Sequence, residues 1–291
     1  REAAAAGLEP YCAARHTGLL RDLVIRRGRD PQTDAPRLLV QFVTRVAAEG
    51  VLAPLAAVLA AEVPEVAGVV ASVAPQRGGG GKPKGPPKLL HGEPVIMERL
   101  LGLCFEISAG SFFQTNPEQT EVLYRLAQDA AGLPPGGGDV LLDLYCGTGT
   151  IGLSLAGACA EMHGFEVSPS AVADARRNAE RNGISNAHFH EGDLEQMAAR
   201  LATDVPRPDV IIADPARAGL SPAVVAFIRS SGARRLVYVS CDVTTQMRDL
   251  AALAEPPEAP GEAAYCLRHV TPVDMFPQTA HVETVALLER V

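Results

Sequence analysis

From Val140 to Ala254 the chain passes five times from a short apolar run to a helical pattern, and that alternation limits its fold more than any other feature. The runs are Val140 to Tyr145, Met162 to Val167, Ala187 to His190, Val210 to Ala213 and Leu236 to Ser240, and two more follow, Cys266 to Val273 and Val282 to Leu288. Helical patterns occupy 150–158, 169–182, 194–202, 221–231 and 244–254. Strand-length apolar runs separated by helices read as βα units, and consecutive βα units stack into a parallel sheet covered on both faces. Residues 111–291 are therefore expected to form a doubly wound, Rossmann-like α/β domain. In such sheets ligands bind at the carboxyl ends of the strands.

The patterning ahead of that region is different. Residues 17–46 alternate and then run apolar, which predicts a two-stranded hairpin, Ala53 to Ala61 reads as a short helix, and Val66 to Val73 as a strand. Gln76 to Pro87 is dominated by Gly, Pro and Lys and predicts a flexible insertion near 76–88. Val95 to Ile107 reads as a further strand pair, closing a small α+β domain over residues 1–110. Asn116-Pro117-Glu118 then opens a helix to about Ala131, with Asn as cap and Pro at the first helical position, and Pro134 to Gly138 ends it.

A chain of 291 residues holds one large domain or two ordinary ones. No window approaches the ~20 apolar residues of a membrane span, and the start, Arg1-Glu2-Ala3-Ala4, does not read as a signal peptide. The expectation is a soluble intracellular monomer of cytoplasm or nucleus, with an organelle left open and no membrane partner. Cysteines 12, 104, 146, 159, 241 and 266 are scattered without a C-x-x-C pair, so no metal site is indicated and free thiols are expected. The net charge of −8 argues against broad phosphate contact, yet residues 1–110 carry +2 and residues 111–291 carry −10. Basic clusters at Arg26-Arg27-Gly28-Arg29 and at Lys82, Lys84 and Lys88 read either as solvated loops or as RNA contacts.

Chemistry concentrates at the strand ends. Gly147-Thr148-Gly149-Thr150-Ile151-Gly152 matches G-x-G-x-x-G between a strand and a helix, with Glu166 closing the next strand. The glycines let backbone approach a ligand and the carboxylate can accept from ribose hydroxyls, so a nucleotide-type cofactor is expected. The pattern alone does not separate a dinucleotide from S-adenosylmethionine. Asp193 ends the third strand and serves either as an adenine contact or as a helix cap. At the fourth strand end stands Asp214-Pro215-Ala216-Arg217, which offers neither an aromatic residue to stack on a base nor a cysteine. The search for a nucleophile moves to Cys241, at the fifth, where a thiol needs an electropositive, partly exposed setting to react. The alternative for Cys241 is apolar filler.

Five segments in order, Ser111-Phe112-Phe113-Gln114-Thr115-Asn116, Asp143-Leu144-Tyr145-Cys146-Gly147-Thr148-Gly149, Asp214-Pro215-Ala216-Arg217-Ala218-Gly219, Tyr238-Val239-Ser240-Cys241 and Asp274-Met275-Phe276-Pro277-Gln278-Thr279, resemble the RNA uracil-5-methyltransferase family. The likeness is greatest to the tRNA (uracil-5)-methyltransferases, including the eukaryotic homolog A type. It covers residues 90–291 well and the earlier part loosely. The resemblance implies a class I fold with S-adenosyl-L-methionine as cofactor, and methylation of uracil C5 in RNA, at the T-loop uridine of tRNA. It implies Cys241 as the nucleophile that adds to C6, Glu283 as the base, and Gln114, Tyr145, Glu166 and Asp214 as contacts to the donor or the uracil. His281, two residues from Glu283, is the rival base, and Phe112 or Phe113 a candidate to stack on an extruded base. Two positions depart from the family, Ala216 and Val243, where proline is usual. A catalytically silent RNA-binding paralogue and a nicotinamide-dependent oxidoreductase are the competing readings.

Overall fold

The computed structural model describes residues 2–75, 83–257 and 259–291. The chain divides into two compact units, one running up to Arg99 and taking in Cys104–Ser111, the other Leu100–Leu103 with Phe112–Val291.

The first unit contains α1 (Glu2–Ala5), β1 (Leu20–Arg29), β2 (Pro36–Thr44), α2 (Glu49–Glu62), β3 (Val66–Val73) and β4 (Lys84–Gly92), followed by the hairpin of β5 (Val95–Leu100) and β6 (Leu103–Ser108). Strands β1 to β4 form one sheet in sequence order, β1 with β2 and β3 with β4 antiparallel and β2 with β3 parallel, the crossover being α2. Leu52 and Ala56 of α2 pack on Val40, Phe42, Val69 and Ala71. The expected insertion near 76–88 is corrected in part: strand β4 starts at Lys84, and only residues 76–82 of that stretch lie outside the described residues. Strand β4 is the sheet edge, where Pro86 and Pro87 need not donate to a second neighbour.

The second unit follows with α3 (Pro117–Ala131), β7 (Val140–Leu144), α4 (Thr150–Leu155), a 3₁₀ turn (Ala156–Ala158), β8 (Glu161–Glu166), α5 (Pro169–Arg181), β9 (Ala187–Glu191) and α6 (Leu194–Asp204). Then come β10 (Val210–Ala213), α7 (Pro222–Ser231), β11 (Arg235–Ser240), α8 (Val243–Ala254), β12 (Tyr265–Val273) and β13 (Glu283–Arg290). Helix α3 begins as the sequence predicts: Asn116 Oδ1 accepts from Gln119 N at 3.2 Å, Pro117 is the first helical residue, and Gly132 in the left-handed region ends it. The seven strands lie in the order β12-β13-β11-β10-β7-β8-β9.

Strands β7 to β11 are parallel, but β13 runs antiparallel to both β11 and β12, so the sheet is mixed rather than wholly parallel. Hydropathy carries no strand direction, which is why the sequence pattern could not reveal this reversal. Leu142, Leu144, Phe165, Ile211, Leu236 and Tyr238 are completely buried and form the centre of the core. Chain order reverses between β7 and β10, a topological switch point, and the crevice there opens at the carboxyl ends of the strands. No helix among the described residues is long and apolar enough to cross a membrane.

Candidate active site

The turn after β7 is built by backbone conformations that few residues adopt. Gly147 and Gly149 have φ of 56° and 80°, and Tyr145 between strand and turn holds φ 67°, an uncommon value for a residue with a side chain. A Cβ at Gly149 would lie 3.1 Å from both Leu153 and Phe189, so the turn is also close-packed from behind. Glu166 at the tip of β8 ties it down: Oε2 accepts from Gly147 N at 3.1 Å and Oε1 from Ser168 N at 2.7 Å. Each oxygen keeps a second lone pair for a ligand hydroxyl.

Beneath the turn lies Asp143, 1% exposed, whose Oδ2 accepts from Gly152 N at 2.8 Å. A side chain at position 152 would strike that oxygen, so Gly152 is required for the approach. The other oxygen, Oδ1, has no partner among the described residues. Burial, with the Glu166 charge as a smaller contribution, pushes the Asp143 carboxyl up to about 7 against the pull of the Gly152 amide. Tyr124 on α3 bonds Thr150 Oγ1 at 2.8 Å, and burial raises its phenol far above the ordinary range.

The second half of the site forms where β11 meets β13. Their register pairs Ser240 with Thr284, so the next step outward along both strands sets Cys241 opposite Glu283. This end is pinned from inside: Thr284 Oγ1 donates to Gln246 Oε1 at 2.8 Å, and Gln246 Nε2 donates to Tyr238 O at 3.1 Å. Asp242 caps α8 by accepting from Thr244 N and Thr245 N at 3.0 and 3.2 Å. Val243, where the resembled family has proline, is the first residue of that helix and leaves the cap intact.

Cys241 is half-buried and Glu283 is 4% exposed. Burial raises the Cys241 thiol; Glu283 and Asp214 raise it further, while Arg217 lowers it. Burial also raises the Glu283 carboxyl, opposed by Arg217. Asp214, just after β10, is pushed up to about 8 by burial, then by Glu283 and Asp143. Asp143, Asp214 and Glu283 thus form one poorly solvated acidic group with a single arginine beside it. Such a group favours a cationic ligand and disfavours an anionic one.

The structure brings together Tyr145, Gly147, Gly149 and Glu166 on one side of the crevice and Asp214, Cys241 and Glu283 on the other. Gln114 lies in the loop before α3, half-buried, with no hydrogen bond to its side chain among the described residues. Asp193 serves as the α6 cap, accepting from Glu195 N at 2.9 Å. Phe112 is 72% exposed. His281 does not stand alone as a base candidate, since Arg217 Nη2 lies 3.1 Å from its Nδ1. Sequence reading gave no role to Arg217, nor to Asp143 by itself. The signal for both was their place at strand ends beside other acidic or reactive residues.

Residues 136–267 match a family model described as a methyltransferase domain. A protein of Enterococcus faecalis named an uncharacterized RNA methyltransferase is 37% identical over 286 residues, 97% of this chain and 59% of that protein. One of Listeria innocua with the same kind of name is 45% identical over 202 residues, 69% of this chain and 42% of that one. Among solved structures, the tRNA (uracil-54, C5)-methyltransferase of Pyrococcus abyssi in complex with S-adenosyl-L-homocysteine superposes with a TM-score of 0.73 at 30% identity, covering 94% of this chain and 61% of that one. Fold and strand-end geometry define a class I methyltransferase domain. The chain that carries it is a relative of bacterial RNA methyltransferases and resembles the RNA uracil-5-methyltransferases. It spans about 59% or less of the length of these curated relatives, and they lend no support to a nucleus or organelle.

Proposed function

We propose that this chain provides the catalytic part of an S-adenosyl-L-methionine-dependent RNA (uracil-5)-methyltransferase acting on the T-loop uridine of tRNA. The observation that carries the reading is the opposition of Cys241, just after β11, and Glu283, at the start of β13, with β10 alone between β11 and the strand that leads into the glycine turn. A thiol and a carboxyl at one strand end are the two groups this chemistry needs. A hydride-transferring enzyme would leave both idle, and the acidic crevice suits the cationic methyl donor better than a dinucleotide diphosphate.

The residues fit that donor on the structure's own terms. Asp143 Oδ1 lacks a partner, Glu166 keeps free lone pairs, and Gly147 and Gly149 leave the backbone open to approach. In this reading Glu166 takes the ribose, Asp143, Tyr145 and Asp214 surround the sulfonium and amino acid portion, Asp193 approaches the adenine, and Gln114 approaches donor or base. When bound, S-adenosyl-L-methionine supplies an electrophilic methyl group.

The chain's own chemistry begins at Cys241. Uracil C5 is a poor nucleophile until the thiolate adds at C6, which moves the ring π electrons to an enolate and makes C5 electron-rich. After C5 has taken the methyl it holds one proton too many. Glu283 removes that proton, the C5–H electrons re-form the C5–C6 double bond, and the Cys241 thiolate departs. Burial helps the second step, because a weakly solvated carboxylate is a stronger base.

The direct test is RNA carrying 5-fluorouridine. Fluorine at C5 cannot leave as a cation, so the adduct should persist in denaturing gels and its peptide should contain Cys241, while Cys241→Ala still binds donor but gives no adduct. A trapped peptide containing Cys146 or Cys266 would overturn the assignment.

A further inference from the structure

We propose that His281 is a positioning residue whose neutral ring holds the Arg217 side chain at the rim shared with Cys241, so that protonation of His281 releases that guanidinium. The inference rests on the reading of Cys241 as nucleophile and assigns His281 a part other than that of rival base.

Four charged or reactive groups share the rim. Glu283 lies across the strand from Cys241, Asp214 stands at the end of β10, and both oppose a negative charge on sulfur. Arg217 is the only cation acting on that thiol among the described residues, and it acts on Glu283 as well. Its backbone is well fixed: Gly219 N bonds Ala216 O at 2.9 Å, Leu220 N bonds Asp249 Oδ2 at 2.7 Å and Arg248 Nη2 donates to Ala218 O at 2.8 Å. The side chain is different. Residue 217 is exposed, and a free guanidinium on a long stem samples many rotamers.

What restrains it is the histidine. Arg217 Nη2 lies 3.1 Å from His281 Nδ1, and arginine has no acceptor, so the histidine nitrogen must accept. That requires a neutral ring with its proton on Nε2. The ring is itself held, its backbone N donating to Thr279 Oγ1 at 3.2 Å and its edge meeting Phe276 at a centroid distance of 6.4 Å. Thr279 Oγ1 in turn donates to Phe276 O at 2.7 Å, which closes the turn. When His281 takes a second proton, both ring nitrogens become donors and the pair becomes two cations. Arg217 must leave, and the Cys241 thiol loses the cation that lowers it. A proton held by His281 therefore acts on sulfur through Arg217, without any contact between histidine and substrate.

The test is the rate of iodoacetamide alkylation at Cys241, followed by peptide mass spectrometry across a pH series in the free chain. On acidification, the rate corrected for ordinary thiol ionisation should fall more steeply in the wild type than in His281→Asn, whose side chain cannot take the second proton. His281→Ala and Arg217→Gln should each slow alkylation at pH 7.5 by roughly three- to tenfold, the effect of up to about one unit on the thiol. The double variant should be no slower than Arg217→Gln, and His281→Asn, which keeps a neutral acceptor, should restore most of the rate. Equal thermal melts for all variants exclude misfolding. Wild-type alkylation in His281→Ala, or additive slowing in the double variant, would overturn the proposal. Failure of the 5-fluorouridine trap with normal results here would instead remove the methyltransferase reading and leave the Arg217–His281 pair standing.

Discussion

At the scale of single residues, the separate roles proposed for Cys241 and Glu283 predict different failures. Glu283→Gln should still add to uracil and accept a methyl group, and so should accumulate a labelled protein–RNA adduct from ordinary tRNA and radiolabelled donor. Cys241→Ala should show none on the same denaturing gel. His281→Gln, which keeps a neutral acceptor for Arg217, should turn over without an adduct; a labelled adduct confined to that variant would move the base to the histidine. Asp143 and Asp214 predict a pH effect of definite sign. Their carboxyls sit at about 7 and about 8 in the fold and at an ordinary 3.8 outside it, so the folded state binds the extra protons. Their contribution to stability is full below the unfolded value and is lost as pH rises through 7 and 8. The free chain should melt lower across that interval, and Asp214→Asn should flatten the decline. Donor affinity should run the other way, rising as the carboxylates ionise to meet a cation, with proton release visible by calorimetry in buffers of different ionisation enthalpy. The positions of Cys241, Glu283 and Glu166 at strand ends were legible, because Glu166 closes β8, Cys241 follows β11 and Glu283 opens β13, each in a recognisable string. Asp143 and Arg217 were harder, because what sets them apart is an unpartnered oxygen and a neighbour 64 positions away.

At the scale of elements, the loop that follows β12 is tied to the start of α3. Asn116 caps the helix through Oδ1 and donates through Nδ2 to Met275 O at 3.2 Å, so one side chain serves both segments. Asn116→Ala should cost about 1 kcal/mol from the cap, and more from the lost donor. Asn116→Asp should keep the cap and lose the bond to Met275. If the aspartate variant melts like the wild type while the alanine variant does not, the Met275 bond contributes little. The cap and its proline were plain in the sequence, since Asn-Pro-Glu before an amphipathic run has few other readings. Strand β4 was not, because Gly85, Pro86 and Pro87 speak against a strand until its place at the sheet edge is known. Nor was the reversal of β13, although it is what sets Glu283 opposite Cys241. Seven of the strands predicted from apolar runs in the second unit exist, and only their partners had to come from the fold.

At the scale of the whole molecule, three of the six basic residues singled out for RNA contact are engaged within the chain. Arg29 pairs with Asp34 at 2.8 Å, Lys88 with Glu49 at 3.5 Å, and Arg26 donates to Ala109 O at 3.3 Å, whereas Arg27 is exposed and has no ion pair among the described residues. Lys82 lies outside the described residues. With −10 on residues 111–291, binding of the proposed tRNA substrate should show a shallow salt dependence. Fluorescence anisotropy against potassium chloride should give a log–log slope of about −1 to −2, the release expected from one or two phosphate contacts. A slope of about −5 or steeper would mean a phosphate-binding face that these ion pairs conceal. The position of β13 bears on how the chain is made as well as on what it does. It is the last strand in sequence yet sits between β11 and β12, so during synthesis the sheet stays split until residues 283–290 have left the ribosome. A nascent chain can form its glycine turn early, but it exposes the bare, apolar edge of β11 until then, inviting strand exchange with another chain. Translation rate and chaperone access while residues 283–290 emerge should therefore govern the yield of folded protein more strongly than the same changes made earlier in synthesis.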